Sequence, residues 1–255
     1  MKDLFSLRRA LELAAPTAVA PRNVHLDDHI LHFLLDHPKF PDPVEALTYY
    51  LNDGKASAEK LASLLGELDI GQHEPIALLE FASGYGCVTR HLRAALPRAS
   101  VTACDIHPQA VEFICRELLC SAVLSHREPE LLSLPQQYDV IFALSFYSHV
   151  PRETWGRWIR AHVEALTPNG VLIFTTHGRY SCPFFGNPTI PENGFWFSAQ
   201  SEQKDLSLAD YGMTIVMQEF VEREVWRQTG RPVRVYREKF WWDHQDLYVI
   251  AKNDG

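Results

Sequence analysis

From Ile76 onward, short apolar runs alternate with stretches whose apolar residues recur at three and four spacing. The runs are 76–81 (IALLEF), 101–106 (VTACDI), 122–126 (AVLSH), 138–145 (YDVIFALS) and 170–177 (GVLIFTTH). Between them lie helical patterns over 88–96, after Pro108 and from Pro151. Such alternation predicts βαβ units with right-handed crossovers and a parallel sheet. Strands apolar on both faces suit a sheet covered on both sides. Near the end, a helical pattern over about 218–228 precedes two β-rich runs, VRVYREKFWW and DLYVIAK, separated by Asp243, His244 and Gln245. That short separation predicts an antiparallel hairpin at the sheet edge. The expected fold is therefore α/β: a doubly wound, mostly parallel seven-stranded sheet closed by a C-terminal hairpin.

The flanks differ from this core. Residues 1–75 read as helices, with three-and-four spacing over 43–51 and 57–68 and Asn52-Asp53-Gly54 as the break between them. The first sixteen residues mix Asp3, Arg8, Arg9 and Glu12 into apolar positions. This predicts a short amphipathic helix and not a secretory signal. The stretch RYSCPFFGNPTIPENGFWF (179–197) is too long for a simple connection. Three parts follow: a helical lid over 1–75, a core over 76–177, and a substrate-side insertion with the closing hairpin over 178–255.

Length and composition narrow the class. A chain of 255 residues, 46% hydrophobic and 22% charged, suits one globular α/β domain with an appended segment. No apolar run reaches the roughly 20 residues a membrane span needs. The net charge of −8 comes without a block of Lys or Arg, which makes nucleic acid a poor candidate partner. Five scattered cysteines without a CxxC pair suggest free thiols and a cytoplasmic setting.

The chemistry concentrates in LLEFASGYGCVTRHL, residues 78–92, where an apolar strand runs into a glycine-rich turn and then a helix. Gly84 and Gly86 allow a tight turn and close approach to a ligand. Glu80 ends the strand as an acid suited to a cationic amino group. Asp105 ends the second strand, where a carboxylate can accept both hydroxyl hydrogen bonds of a ribose.

This ordered set resembles the class I S-adenosylmethionine-dependent methyltransferases, whose first motif reads acid, apolar, Gly, x, Gly, x, Gly. Here it reads Glu80, Phe81, Ala82, Ser83, Gly84, Tyr85, Gly86, with Ala82 in place of the first glycine. The resemblance implies that these positions hold the donor S-adenosylmethionine, that Asp105 binds its ribose, and that Ile106 flanks the adenine. It places Ser125 or His126 near the adenine edge and Ser145 at the end of the fourth strand. It extends over YDVIFALSFYSHVP and LTPNGVLIFTTHG, and with the hairpin spans about 180 residues. It implies methyl transfer to a small or medium-sized acceptor through oxygen or nitrogen, and leaves the acceptor open.

The sulfonium methyl is already activated, so alignment and exclusion of water are the main tasks and no metal is called for. A hydroxyl or protonated amine acceptor needs a base. His149 and His177, at the ends of the fourth and fifth strands, are the candidates, although a hydrogen-bonded loop histidine is the commoner reading of each. Tyr49 and Tyr50 suit either closure over the cofactor or helix packing. Phe184, Phe185, Phe195, Trp196 and Phe197 suit an acceptor pocket or a satellite core. His25, His29 and His32 share a face if their segment is helical, a weak metal pattern. His244, Gln245 and Asp246 suit the site rim or a turn. Two other functions compete: a nicotinamide-dependent oxidoreductase, disfavoured by Thr89 where the dinucleotide fingerprint wants Gly or Ala, and a non-catalytic partner that keeps the fold.

Overall fold

The computed structural model describes residues 21, 23–201, 203 and 205–253. The amphipathic helix expected over the first sixteen residues lies outside them. In chain order the elements are α1 (His29–Asp36), α2 (Pro43–Glu67), β1 (Ile76–Phe81), α3 (Thr89–Ala95), β2 (Ala99–Asp105), α4 (Pro108–Glu117) and β3 (Ser121–Leu124). There follow β4 (Tyr138–Ala143), α5 (Arg152–Glu164), β5 (Leu166–His177), β6 (Phe195–Ser198), β7 (Met213–Val216), α6 (Gln218–Thr229), β8 (Val235–Trp241) and β9 (Gln245–Ala251). Short 3-10 turns occur at Pro129–Leu131 and Arg179–Phe185. The architecture is α/β with mostly parallel strands, as expected; nine strands occur among the described residues where seven were anticipated. The chain forms two compact units: residues up to Ile76 together with Ser83–Leu124, and Ala77–Ala82 together with Ser125 onward.

In the first unit, local capping sets the helix starts. The Asp28 carboxylate accepts from the Ile30 and Leu31 amides at 3.0 and 3.1 Å and opens α1. Asp42 accepts from Val44 N at 2.9 Å, with Pro43 at the first helical position. α2 then runs unbroken for 25 residues, so Asn52-Asp53-Gly54 is no break. The glycine is needed for packing: a Cβ at Gly54 would stand 2.0 Å from the Cys87 carbonyl oxygen. Tertiary contact overrides the local turn signal there. α1 and α2 bury Leu31, Leu34, Leu35, Leu47, Tyr50 and Leu51 in one cluster. β2 and β3 pair in parallel from Thr102↔Ser121 to Asp105↔Leu124.

In the second unit the strand order is β1-β4-β5-β7-β6. β1, β4 and β5 are parallel neighbours. β5 then forks. It meets β7 in parallel only at His177↔Ile215, while β9 runs antiparallel along it from Val171↔Ala251 to His177↔Gln245. The hairpin forms as expected, with β9 seated between β5 and β8. Its turn places Trp242 and Asp243 in the left-handed region (φ 50° and 58°), and His244 N bonds Trp241 O at 3.1 Å. Positive φ at both central residues gives the twist that antiparallel strands require. The stretch 179–197 is not one long loop, because its end is β6, paired with β7. The core beneath holds Phe81, Phe146, Trp158 and His162, with the Phe81 and His162 ring centroids 4.2 Å apart.

Candidate functional site

The glycine-rich loop is built by hydrogen bonds to the end of β2. Ser83 N donates to Cys104 O at 3.1 Å, Gly86 N to Ser83 O at 3.0 Å, and Gly84 N to the Asp105 carboxylate at 2.7 Å. Three consecutive alternate positions have positive φ: Ala82 (58°), Gly84 (54°) and Gly86 (77°). Ala82 therefore adopts the left-handed conformation that the motif's missing first glycine would supply, at a strain of about 1–2 kcal/mol. The two glycines serve different ends. A Cβ on Gly86 would stand 2.5 Å from Leu118 Cδ1, so its absence lets the loop pack; at Gly84 nothing lies within 4 Å, so the backbone is open to a ligand.

Asp105 is buried at 5% exposure, and its carboxylate is already engaged. Besides Gly84 N, it accepts from His107 N at 3.0 Å and from His107 Nδ1 at 2.7 Å. The acid thus braces the loop as well as facing it. His107 escaped the sequence reading, although Asp-x-His-Pro at a helix start is a visible signal. Ile106 is half-buried beside it.

Tyr50 does not present its hydroxyl to a ligand. It is fully buried, donates to Asp28 at 2.6 Å, and lies under the Arg90 guanidinium at 5.4 Å. Burial raises the Asp28 carboxyl, against the pull of Tyr50 and Arg90. Tyr49 packs on Phe40 at 4.9 Å instead of closing over the loop. His25, His29 and His32 are not brought to one helical face, because α1 begins only at His29. His25 is stacked on Tyr85 and His32 pairs with the Leu26 carbonyl.

In the second unit, Glu80 is buried at the end of β1, in register with Phe142. Phe81 points into the aromatic core, so only its backbone can serve a ligand. Ser125 is half-buried and His126 exposed, its ring accepting Glu128 N at 2.9 Å within a turn. Ser145 has φ 59° and lies in a polar network that the sequence did not reveal. Its amide donates to Thr175 Oγ1 at 2.8 Å, Thr175 donates to Gln245 Oε1 at 2.6 Å, and Gln245 Nε2 returns to Ser145 Oγ at 2.9 Å. Residue 245, on β9, thereby holds a strained serine after β4.

Three histidines gather at the end of β5. The His177 ring lies 6.0 Å from His149 and 5.8 Å from His244. His149 Nδ1 bonds the Gly212 carbonyl at 2.8 Å, which places the proton on Nδ1, and the ring stacks on Tyr211 at 4.5 Å. Burial, reinforced by the two neighbouring histidines, holds His177 well below its ordinary range, so its ring is neutral. Burial also lowers His244. Ser181 Oγ donates to the His244 carbonyl at 2.8 Å and so receives the Nδ1 proton at 3.1 Å, leaving Nε2 as the basic nitrogen. Of the aromatics in 179–197, Phe185 lies 4.8 Å from His177 and Phe184 lies 4.8 Å from His244. Phe195 instead packs on Phe220 in the core. A separate groove of about 540 Å³, lined by Gln136, Gln137, Arg160 and Glu164, lies at the opposite, N-terminal end of β4.

Residues 79–172, from within β1 into β5, match the family model described as a methyltransferase domain. The fold of the chain is that of solved S-adenosylmethionine-dependent methyltransferases. A malonyl-[acyl-carrier protein] O-methyltransferase of Priestia megaterium is 27% identical over 155 residues, 60% of this chain and 52% of that protein. One of the same description from Halalkalibacterium halodurans is 26% identical over 128 residues, 48% and 46% of the two chains. The chain thus spans about half the length of these relatives. An S-adenosylmethionine-dependent methyltransferase from Clostridium acetobutylicum superposes with a TM-score of 0.55 at 13% identity, over 76% of this chain and 89% of that one. The N-methyltransferase NodS from Bradyrhizobium japonicum, in complex with S-adenosylhomocysteine, gives 0.53 at 14% identity, over 89% and 100%. Both likenesses are of fold. No helix among the described residues is long and apolar enough to cross a membrane.

Proposed function

We propose that this protein transfers the methyl group of S-adenosylmethionine to an oxygen or nitrogen of a small or medium-sized acceptor. The observation that carries this is the loop backbone at Gly84, open to a ligand and braced by a buried carboxylate at the next strand end. Those residues fit an adenosyl ligand: a backbone free of Cβ at Gly84 for close approach on the methionine side, and a carboxylate for ribose hydroxyls. Backbone at Phe81, Ala82, Ser83, Gly84 and Gly86 cradles the donor, Glu80 takes its amino group, and Asp105 takes its ribose. We assign Ile106, Ser125 and His126 to the adenine and Ser145, at the end of β4, to the donor.

The donor supplies an activated methyl cation equivalent; the chain's own residues position the acceptor, exclude water and take up a proton. His149 and His177 are the bases we assign to a hydroxyl or amine acceptor. Burial holds the His177 ring neutral, so it is free to accept a proton, and the same burial favours passing that proton on. Five free thiols accord with a cytoplasmic setting.

Calorimetric titration with S-adenosylmethionine, S-adenosylhomocysteine and the nicotinamide dinucleotides tests the donor. Micromolar binding of the adenosyl ligands alone is expected. Dinucleotide binding would overturn the reading, and no binding would make the chain a partner protein. Labelled-methyl transfer to hydroxyl, amine and malonyl-carrier-protein acceptors then sorts the acceptor class, the last because the named relatives act on it.

A further inference from the structure

Arg90 stands in the first turn of α3, where a cation opposes the helix dipole, and it is 5% exposed. Neither position suits a solvated charge, so its partners must account for it. Nε donates to Gly86 O at 2.8 Å and Nη2 to Tyr85 O at 3.3 Å, both carbonyls of the glycine-rich loop. Nη1 donates to Pro21 O at 3.1 Å and Asn23 O at 2.8 Å, at the start of the segment that leads into α1. Nη2 also reaches the Tyr50 hydroxyl at 3.5 Å, and through it the Asp28 carboxylate that caps α1. One planar fork therefore bonds the loop and the N-terminal segment at once, which a point-charge lysine cannot do.

The same segment touches the loop elsewhere. The His25 ring stacks on Tyr85 at 4.6 Å, with an interplanar angle of 16°, and meets Phe113 edge-on at 5.4 Å. Asn23 Nδ2 donates to the Glu117 carboxylate at 2.6 Å.

We propose that Arg90 is a positioning residue that makes the donor loop and the segment from Asn23 to Leu31 one cooperative element. Occupation of the loop then tightens the segment, and loss of the segment's contacts weakens donor binding by the same factor, because coupling between two parts of one protein is reciprocal. This rests on the donor reading above. The chemistry is specific: Arg90 holds the carbonyls of Tyr85 and Gly86, which fixes the course of the loop backbone just after Gly84.

The test uses the full chain, its Arg90→Lys variant and its His25→Ala variant, with S-adenosylhomocysteine as probe. Affinity is read by calorimetry and local opening by hydrogen exchange with and without ligand. In the unmodified protein, ligand should slow exchange over residues 23–31. Arg90→Lys should bind at least tenfold more weakly and lose ligand-induced protection in 23–31 while keeping it in 84–88. His25→Ala, which removes only a half-buried ring, should weaken binding at least threefold. A merely structural arginine would lower the melting temperature without severing protection of the segment from ligand binding. Twofold or smaller changes in both folded variants, with protection unchanged, would overturn the coupling alone; should Arg90→Lys not fold, His25→Ala decides by itself. No binding to the unmodified protein would overturn the donor reading, and the coupling with it.

Discussion

Replacing Asp105 by Asn tests the proposed donor site most directly, and the structure dictates the choice of residue. The carboxylate accepts three protein hydrogen bonds, from Gly84 N, His107 N and His107 Nδ1. Truncation to Ala would orphan all three donors in a buried site, at about 1–3 kcal/mol each, and confuse lost folding with lost binding. Asn keeps one accepting oxygen but turns an amide donor toward a backbone N–H on the other side. One bond is lost, for a stability decrease of about 1–3 kcal/mol. Binding suffers separately, since a ribose hydroxyl donating to a charged acceptor is worth about 1.5–3 kcal/mol, or roughly tenfold to a hundredfold in affinity. Calorimetry with S-adenosylhomocysteine, on protein shown folded by circular dichroism, measures the second effect, and a urea melt the first. A folded Asp105→Asn protein that binds within twofold of the original would refute the ribose assignment.

Ala82→Gly should relieve the left-handed alanine at φ 58° while adding freedom to the unfolded chain, for a net gain of about 0.5–1 kcal/mol by urea denaturation; a loss would mean that the strain is absent. Gly54→Ala, which puts a Cβ 2.0 Å from the Cys87 carbonyl, should destabilise by about 1–2 kcal/mol even though alanine is the better helix former. An equal or higher denaturation midpoint would contradict that packing. His162 is fully buried, takes the Tyr147 hydroxyl at 2.8 Å, and is pushed by burial down to about 3. Below the ordinary histidine range the unfolded chain holds a proton that the folded chain refuses, so stability is complete above about pH 6.5 and falls towards pH 3, by up to about 1.4 kcal/mol per pH unit. His162→Gln should flatten that slope in denaturation curves taken between pH 4 and 7, and an unchanged slope would place the proton elsewhere.

The alternation of apolar runs with helical spacing was enough to predict the strands from IALLEF to GVLIFTTH and the closing hairpin, because each is a local pattern of burial. Gly84, Gly86 and Asp105 were legible for a similar reason: a glycine demanded by positive φ and an acid at a strand end are properties of short segments. Positions whose meaning lies in a distant partner were not legible. Gly54 signalled a turn, yet α2 continues because Cys87, 33 residues away by number, needs its missing Cβ. Tyr50 was open to a ligand role until Asp28 and Arg90 closed around it. Gln245 entered only when β9 ran back along β5 and brought its amide to Thr175 and Ser145, 70 and 100 residues away. The chain's pattern determined which elements form and where the glycine-rich loop lies. Only the tertiary structure decided which side chains are consumed as braces, since a buried polar group must find partners wherever the fold brings them.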